Sequence, residues 1–126
     1  MELQLEHPGD YPYVRHVDEH SITVVDRELR QLDASFILTP ERVVEDWPVT
    51  DVRRMQVSDT EALLASGPEV ILLGTGNTQA FPPAAVMAAI LKQGIGIEPM
   101  DNAAAARTHT VLAGEDRKVV AAFILS

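Results

Sequence analysis

Among the 126 residues, a glycine-containing turn has a type and spacing from which chemistry could be built: Gly74-Thr75-Gly76, directly after the apolar run Val70-Ile71-Leu72-Leu73. Glycines at the end of a strand let backbone N–H groups approach a phosphate, as in dinucleotide sites and P-loops. The dinucleotide fingerprint needs a third glycine at position 79, which is Gln79, and a helix that begins at once. Here the helix signal waits until Pro82. A P-loop needs a closing Gly-Lys-Ser/Thr, which is absent. The glycines therefore read as a tight turn. What survives is a more general expectation, that a ligand or partner meets the carboxyl edge of an open α/β sheet. That edge would gather Gly74, Thr75, Gly76, Asn77 and Thr78 with Asp101 and Asn102.

The histidines are the next candidates. His16 and His20 are four apart, with Asp18 and Glu19 between them and His7 upstream. On a helix that spacing could hold a metal, but this segment leads into a strand, where four positions span about 13 Å. They read as solvated loop histidines, with no metal. His109 sits between Thr108 and Thr110, and no serine is placed to complete a triad by spacing. Ser66, in Ala65-Ser66-Gly67, lacks the preceding glycine of a nucleophile elbow. Arg107 could contact an anion or carboxylate near a cleft. Arg117, two residues from Glu115, reads as an ion pair at a helix-to-strand turn. Trp47, in Glu45-Asp46-Trp47-Pro48, is either a packing anchor or an exposed contact residue. No catalytic set and no cofactor is expected.

Composition narrows the partners. The chain carries 10 Lys+Arg against 19 Asp+Glu, a net charge of -9 with histidines neutral. That excess disfavours nucleic acid, whose binders cluster Lys and Arg, and disfavours an anionic membrane surface. With no cysteine, disulfides, thiolate catalysis and cysteine-based zinc sites are excluded. No apolar run approaches the roughly 20 residues of a membrane span. Met1 to Asp10 contains Glu2, Glu6 and Asp10 and no basic stretch, so a cytoplasmic protein without a targeting peptide is expected.

These groups would be positioned by one domain, residues 1–126. Ser21–Val25, Glu28–Leu32 and Ser35–Leu38 read as short strands joined in antiparallel hairpins. Residues 41–56 hold no clear element, and Glu61–Ala65 reads as a short helix stopped by Gly67-Pro68. Val70–Leu73 reads as a strand covered on both faces. Pro82-Pro83 opens a helix to about Gln93, with Gly94 as its cap. Ile95–Glu98 is the next strand, ended by Pro99. Asp101 or Asn102 caps a helix to about Ala113, and Val119–Leu125 closes the fold as a strand. The class is α/β, with a central mixed β-sheet: antiparallel hairpins in the first half and right-handed βαβαβ crossovers in the second. The helix from Ala84 to Leu91 is apolar nearly all round. It reads as sandwiched within the protein in preference to packing on a partner subunit, though a homo-oligomer is possible.

Ile22-Thr23-Val24, Ser35 to Pro40 and Trp47-Pro48-Val49, followed by Val70 to Gly76, Pro82-Pro83, Gly94 to Met100, Ala104 to Leu112 and Gly114 to Arg117, resemble an uncharacterised conserved domain family. It includes the mitochondrial complex I assembly factor 3 and many bacterial and archaeal hypothetical proteins. The resemblance spans nearly the whole chain, though no single motif in it is diagnostic. It implies a compact three-layer α/β domain, no established enzymatic activity and, from the mitochondrial members, a protein partner. Asn102 stands where that family often has Thr, and His109-Thr110 where Tyr-Asn is common, so no ligand role is carried over to that helix. Together these readings favour a non-catalytic protein-binding or assembly-factor-like domain. The alternative is a small-molecule binder or enzyme using the Gly74–Thr78 edge with Arg107.

Overall fold

The computed structural model describes residues 11–126. His7 and the acidic stretch Met1 to Asp10 lie outside the described residues. Among the described residues eight strands and three α-helices follow in order: β1 Tyr13–Val17, β2 Ile22–Asp26, β3 Glu28–Leu32, β4 Phe36–Leu38, β5 Val43–Val44, α1 Glu61–Leu64, β6 Val70–Gly74, α2 Ala84–Leu91, β7 Gly96–Met100, α3 Asn102–Gly114 and β8 Val119–Phe123. Two 3-10 turns, Val52–Arg54 and Val57–Thr60, precede α1.

The central sheet is mixed, in the order β5-β4-β8-β6-β7. β6 pairs parallel with β7 and with β8, while β4 pairs antiparallel with β8 and β5. The expected crossovers are therefore present, as are the antiparallel strands of the first half. The hairpins divide, however: β1, β2 and β3 form a separate antiparallel sheet, and only β4 and β5 join the central one. Burial explains the division. β8 is buried at every position and β6 at four of five, so the central sheet must be covered on both faces. β2 alternates instead, burying Ile22 and Val24 while Thr23 and Val25 are only partly covered. A sheet with one apolar face stabilises itself by lying across a core, and this one lies beside α3 over one face of the central sheet.

Chain direction places the helices. β6–α2–β7 steps one way and β7–α3–β8 steps back past β6. Right-handed crossovers that reverse direction put their helices on opposite faces. The two cores agree. Ile71 and Leu73 of β6 face Val86 and Ile90 of α2, with Trp47, Val52, Met55 and Leu63. Leu72 faces Ala105, Ala106 and Ala113 of α3, with Ile22, Val24, Phe36 and Phe123. The result is three layers.

Two expectations need correction. Pro99 does not end its strand: β7 runs through it to Met100. β7 is an edge strand, so the missing proline N–H costs no ladder bond. The apolar helix α2 is also not enclosed. Val86 and Ile90 are buried, but Ala84, Ala85 and Ala88 are exposed and Leu91 is 55% exposed. Only one side of α2 meets the sheet.

α3 begins as its sequence suggests. Asp101 is in extended backbone and its carboxylate accepts from Ala104 N at 2.8 Å, satisfying a first-turn donor. Asp101→Ala is expected to cost about 1 kcal/mol, a fall of roughly 4 °C in melting temperature, readable by thermal denaturation.

Candidate functional site

The carboxyl end of β6 is tied down by its own polar groups. Gly74 O accepts from Ile124 N at 2.9 Å, and Thr75 N donates to Met100 O at 2.8 Å. The Thr75 hydroxyl donates to Thr78 O at 2.7 Å and accepts from Ala80 N at 3.1 Å, closing the loop on itself. Asn102, 2% exposed, completes the fastening. Its N–H donates to Gly76 O at 2.8 Å, its Oδ1 accepts from Gly76 N at 3.2 Å, and its Nδ2 donates to Ile124 O at 3.0 Å. One amide thus joins the ends of β6, β8 and α3. Gly76, at φ 107°, occupies backbone that side chains rarely adopt. Gly74 is required for a different reason: a Cβ there would collide with Asn102 Oδ1. Glycine serves close packing here, and the Thr75 and Gly76 N–H groups and the Thr75 hydroxyl are already engaged.

The expected residues are brought together in part. Gly76, Asn77 and Asn102 line a concavity of about 320 Å³ with Asp101, Ala103 and, from the three-stranded sheet, Val17, Asp18 and Glu19. Gly74 and Thr75 are not in its lining. Arg107 is exposed on α3 and lines a second concavity of about 320 Å³ with Arg15, His16 and Thr110. The two share Val17 and Ala103, so they join as one groove between β1 and α3. Its charges separate: Asp18, Glu19 and Asp101 at one end, Arg15 and Arg107 at the other. β1 contributes the register shift between Val14 and His16, a bulge that bends this edge strand.

Trp47 is elsewhere. It is 5% exposed in the α2-side core, and its indole Nε1 donates to Asp59 O at 3.2 Å. It is a packing anchor. His16 lies on β1, 3.0 Å from Asp18, and His20 stands in the following turn. Among the described residues no group of three or more His, Asp or Glu could hold a metal. Arg117 makes an ion pair, with Glu69 at 3.2 Å and not with its neighbour Glu115.

Sequence reasoning passed over one site. His109 is 2% exposed, its ring edge-on to Tyr11 at 6.4 Å between centroids, and its Nδ1 is buried without a partner among the described residues. Loss of hydration lowers its pKa to about 4, so the imidazole is neutral at pH 7. Burial also raises the Tyr11 phenol. The signal was present in the inward stripe Asn102, Ala105, Ala106, His109 and Ala113, whose helical spacing carries His109 into the core. A cavity of about 200 Å³ adjoins His109, lined also by Tyr11, Pro40, Ala113, Asp116, Arg117 and Val119.

Comparison with known proteins agrees with the architecture. A solution structure from Xanthomonas campestris superposes with a TM-score of 0.82 at 46% identity, covering 99% of this chain and 92% of that one. A Bordetella pertussis protein described as a Mth938-like domain has a TM-score of 0.79 at 26% identity, covering 99% and 92%. The 13 kDa major membrane protein of Francisella tularensis subsp. holarctica is 33% identical over 85 residues, 67% of this chain and 69% of its own length. A family model described as a protein of unknown function (DUF498/DUF598) matches residues 14–124. The family model spans most of the sequence, and the chain belongs to the DUF498/DUF598 family of proteins of unknown function.

Proposed function

We propose that this chain is a non-catalytic protein-binding domain, assembly-factor-like in role, that presents the outer side of α2 to an apolar surface of another protein. One observation carries the reading. Ala84, Ala85, Ala88 and Leu91 line the side of α2 opposite Val86 and Ile90, and Phe81, 62% exposed, precedes them. No charged residue occurs from Phe81 to Leu91, in a chain of net charge -9. Such an uncharged strip on an otherwise acidic surface is what a protein interface uses, and each large side chain covered there contributes about 1.5–3 kcal/mol. The alanines let a partner's backbone come close.

Ala88→Arg tests this. The side chain is exposed, so thermal stability should stay within about 0.5 kcal/mol of the parent. A partner recovered by pull-down from the native cell should be lost with the variant. If the variant retains that partner undiminished, the reading fails. Unchanged self-association by sedimentation would exclude a second copy of the chain as the occupant of this face.

The same reading places the protein in the cytoplasm, without membrane insertion and without nucleic acid. Among the described residues no helix is long and apolar enough to cross a membrane. Retention in the membrane pellet after an alkaline carbonate wash would overturn this placement.

A second reading, ligand binding or catalysis in the groove between β1 and α3, is favoured by the concavity at Gly76, Asn77 and Asn102. Because Gly76 N and the Asn102 amide are bonded to one another, Asn77, Asp18 and Glu19 would supply the contacts. A metabolite screen by thermal shift, in the parent and in Asn77→Ala, separates this reading from the first.

A further inference from the structure

The cavity beside His109 lies on the α3 side of the central sheet, away from α2, and stands independently of the protein-binding reading. An engineered apolar cavity of about 150 Å³ accepts benzene, so about 200 Å³ admits a molecule of roughly six to nine heavy atoms. Pro40, Ala113 and Val119 would cover an apolar body.

The polar groups select the other end of such a molecule. A neutral imidazole has one N–H and one bare nitrogen. Nδ1 is sealed from solvent with no partner among the described residues, and a sealed bare acceptor costs less than a sealed N–H. The proton therefore belongs on Nε2, making that nitrogen a donor. The Tyr11 phenol is a second donor. The Arg117 guanidinium is a planar cationic fork whose Nε donates to Glu69 Oε1 at 3.2 Å, which leaves the Nη groups for a planar two-oxygen partner. Asp116, also in the wall, repels any anion in proportion to its charge, so the single charge of a monocarboxylate is opposed less than the two of phosphate or a dicarboxylate.

We propose that the cavity bounded by Tyr11, His109 and Arg117 binds a small monocarboxylic acid, with its carboxylate toward Arg117 and its apolar body against Ala113 and Val119. The chemistry is recognition only, and no covalent step is involved.

Butyrate and benzoate serve as probes, with butyramide and benzamide as uncharged counterparts. At pH 7 the imidazole carbon-bound protons of His109 are followed by NMR as each is added. Molecules of this size reach dissociation constants of about 1 mM, and a lost charged contact is worth about tenfold. The acids should produce saturable shifts, with the amides about tenfold weaker. Arg117→Gln, a surface change, should weaken the acids about tenfold, and Glu69→Gln, which releases the guanidinium, should leave them as tight or tighter. The proposal is overturned by shifts that do not saturate by about 50 mM, by amides binding as well as acids, or by Arg117→Gln binding as the parent does.

Discussion

Gly74→Ala is expected to destabilise the protein by about 3 kcal/mol and to lower its melting temperature by roughly 10 °C. The added methyl would meet Asn102 Oδ1 far inside contact distance, with Ala122 O and Phe123 Cδ1 at 3.0 and 3.2 Å. Two of those three neighbours belong to the buried strand β8 and cannot withdraw. Asn102 can yield only by giving up its bonds to Gly76 N and Ile124 O. Asn102→Ala alone should cost about 2 kcal/mol, because it strands a donor and an acceptor at the strand ends. The two changes share a contact and should not add. The double variant should be at least about 1 kcal/mol more stable than additivity predicts, since the second substitution removes the atom that the first one strikes. Chemical denaturation of the four proteins measures this, and strict additivity would mean that the amide does not bear on Gly74.

Acidification supplies the second large effect. The folded state holds His109 neutral with a pKa of about 4, against about 6.5 in an unfolded chain. The unfolded form therefore binds the proton first. Stability owed to this residue is complete above pH 6.5, declines as the pH falls from 6.5 to 4, and is lost below. The loss is about 3 kcal/mol, set by the interval between the two pKa values. His109→Phe removes the titrating group while keeping a ring beside Tyr11. Compared with this variant, the parent should lose about 3 kcal/mol more between pH 7 and pH 4 in urea denaturation. Parallel pH profiles for the two proteins would show that the imidazole is not sealed in the folded state.

Much of the architecture was legible because it depends on neighbours in sequence. Val70-Ile71-Leu72-Leu73 carries the pattern of a strand covered on both sides, and Asp101 and Gly94 bracket the helices in the way backbone hydrogen bonding requires. Pro99 was misread because a proline is compatible with a strand only at an edge, and strand order is not a local property. The candidate edge was located, but its chemistry was not. Thr75, Gly76 and Asn102 read as available groups until their partners, up to 26 residues away in sequence, were seen to consume them.

The sequence by itself determined the α/β class, the parallel second half, the absence of thiol chemistry and the acidic charge. Each follows from composition or from the period of apolar residues along a short window. Only the tertiary structure decided that β1 to β3 form their own sheet beside α3, that the outer side of α2 is bare, and that His109 is sealed beside a cavity. Those outcomes depend on which surfaces meet across the fold, and surfaces far apart in the chain leave no periodic mark on one another.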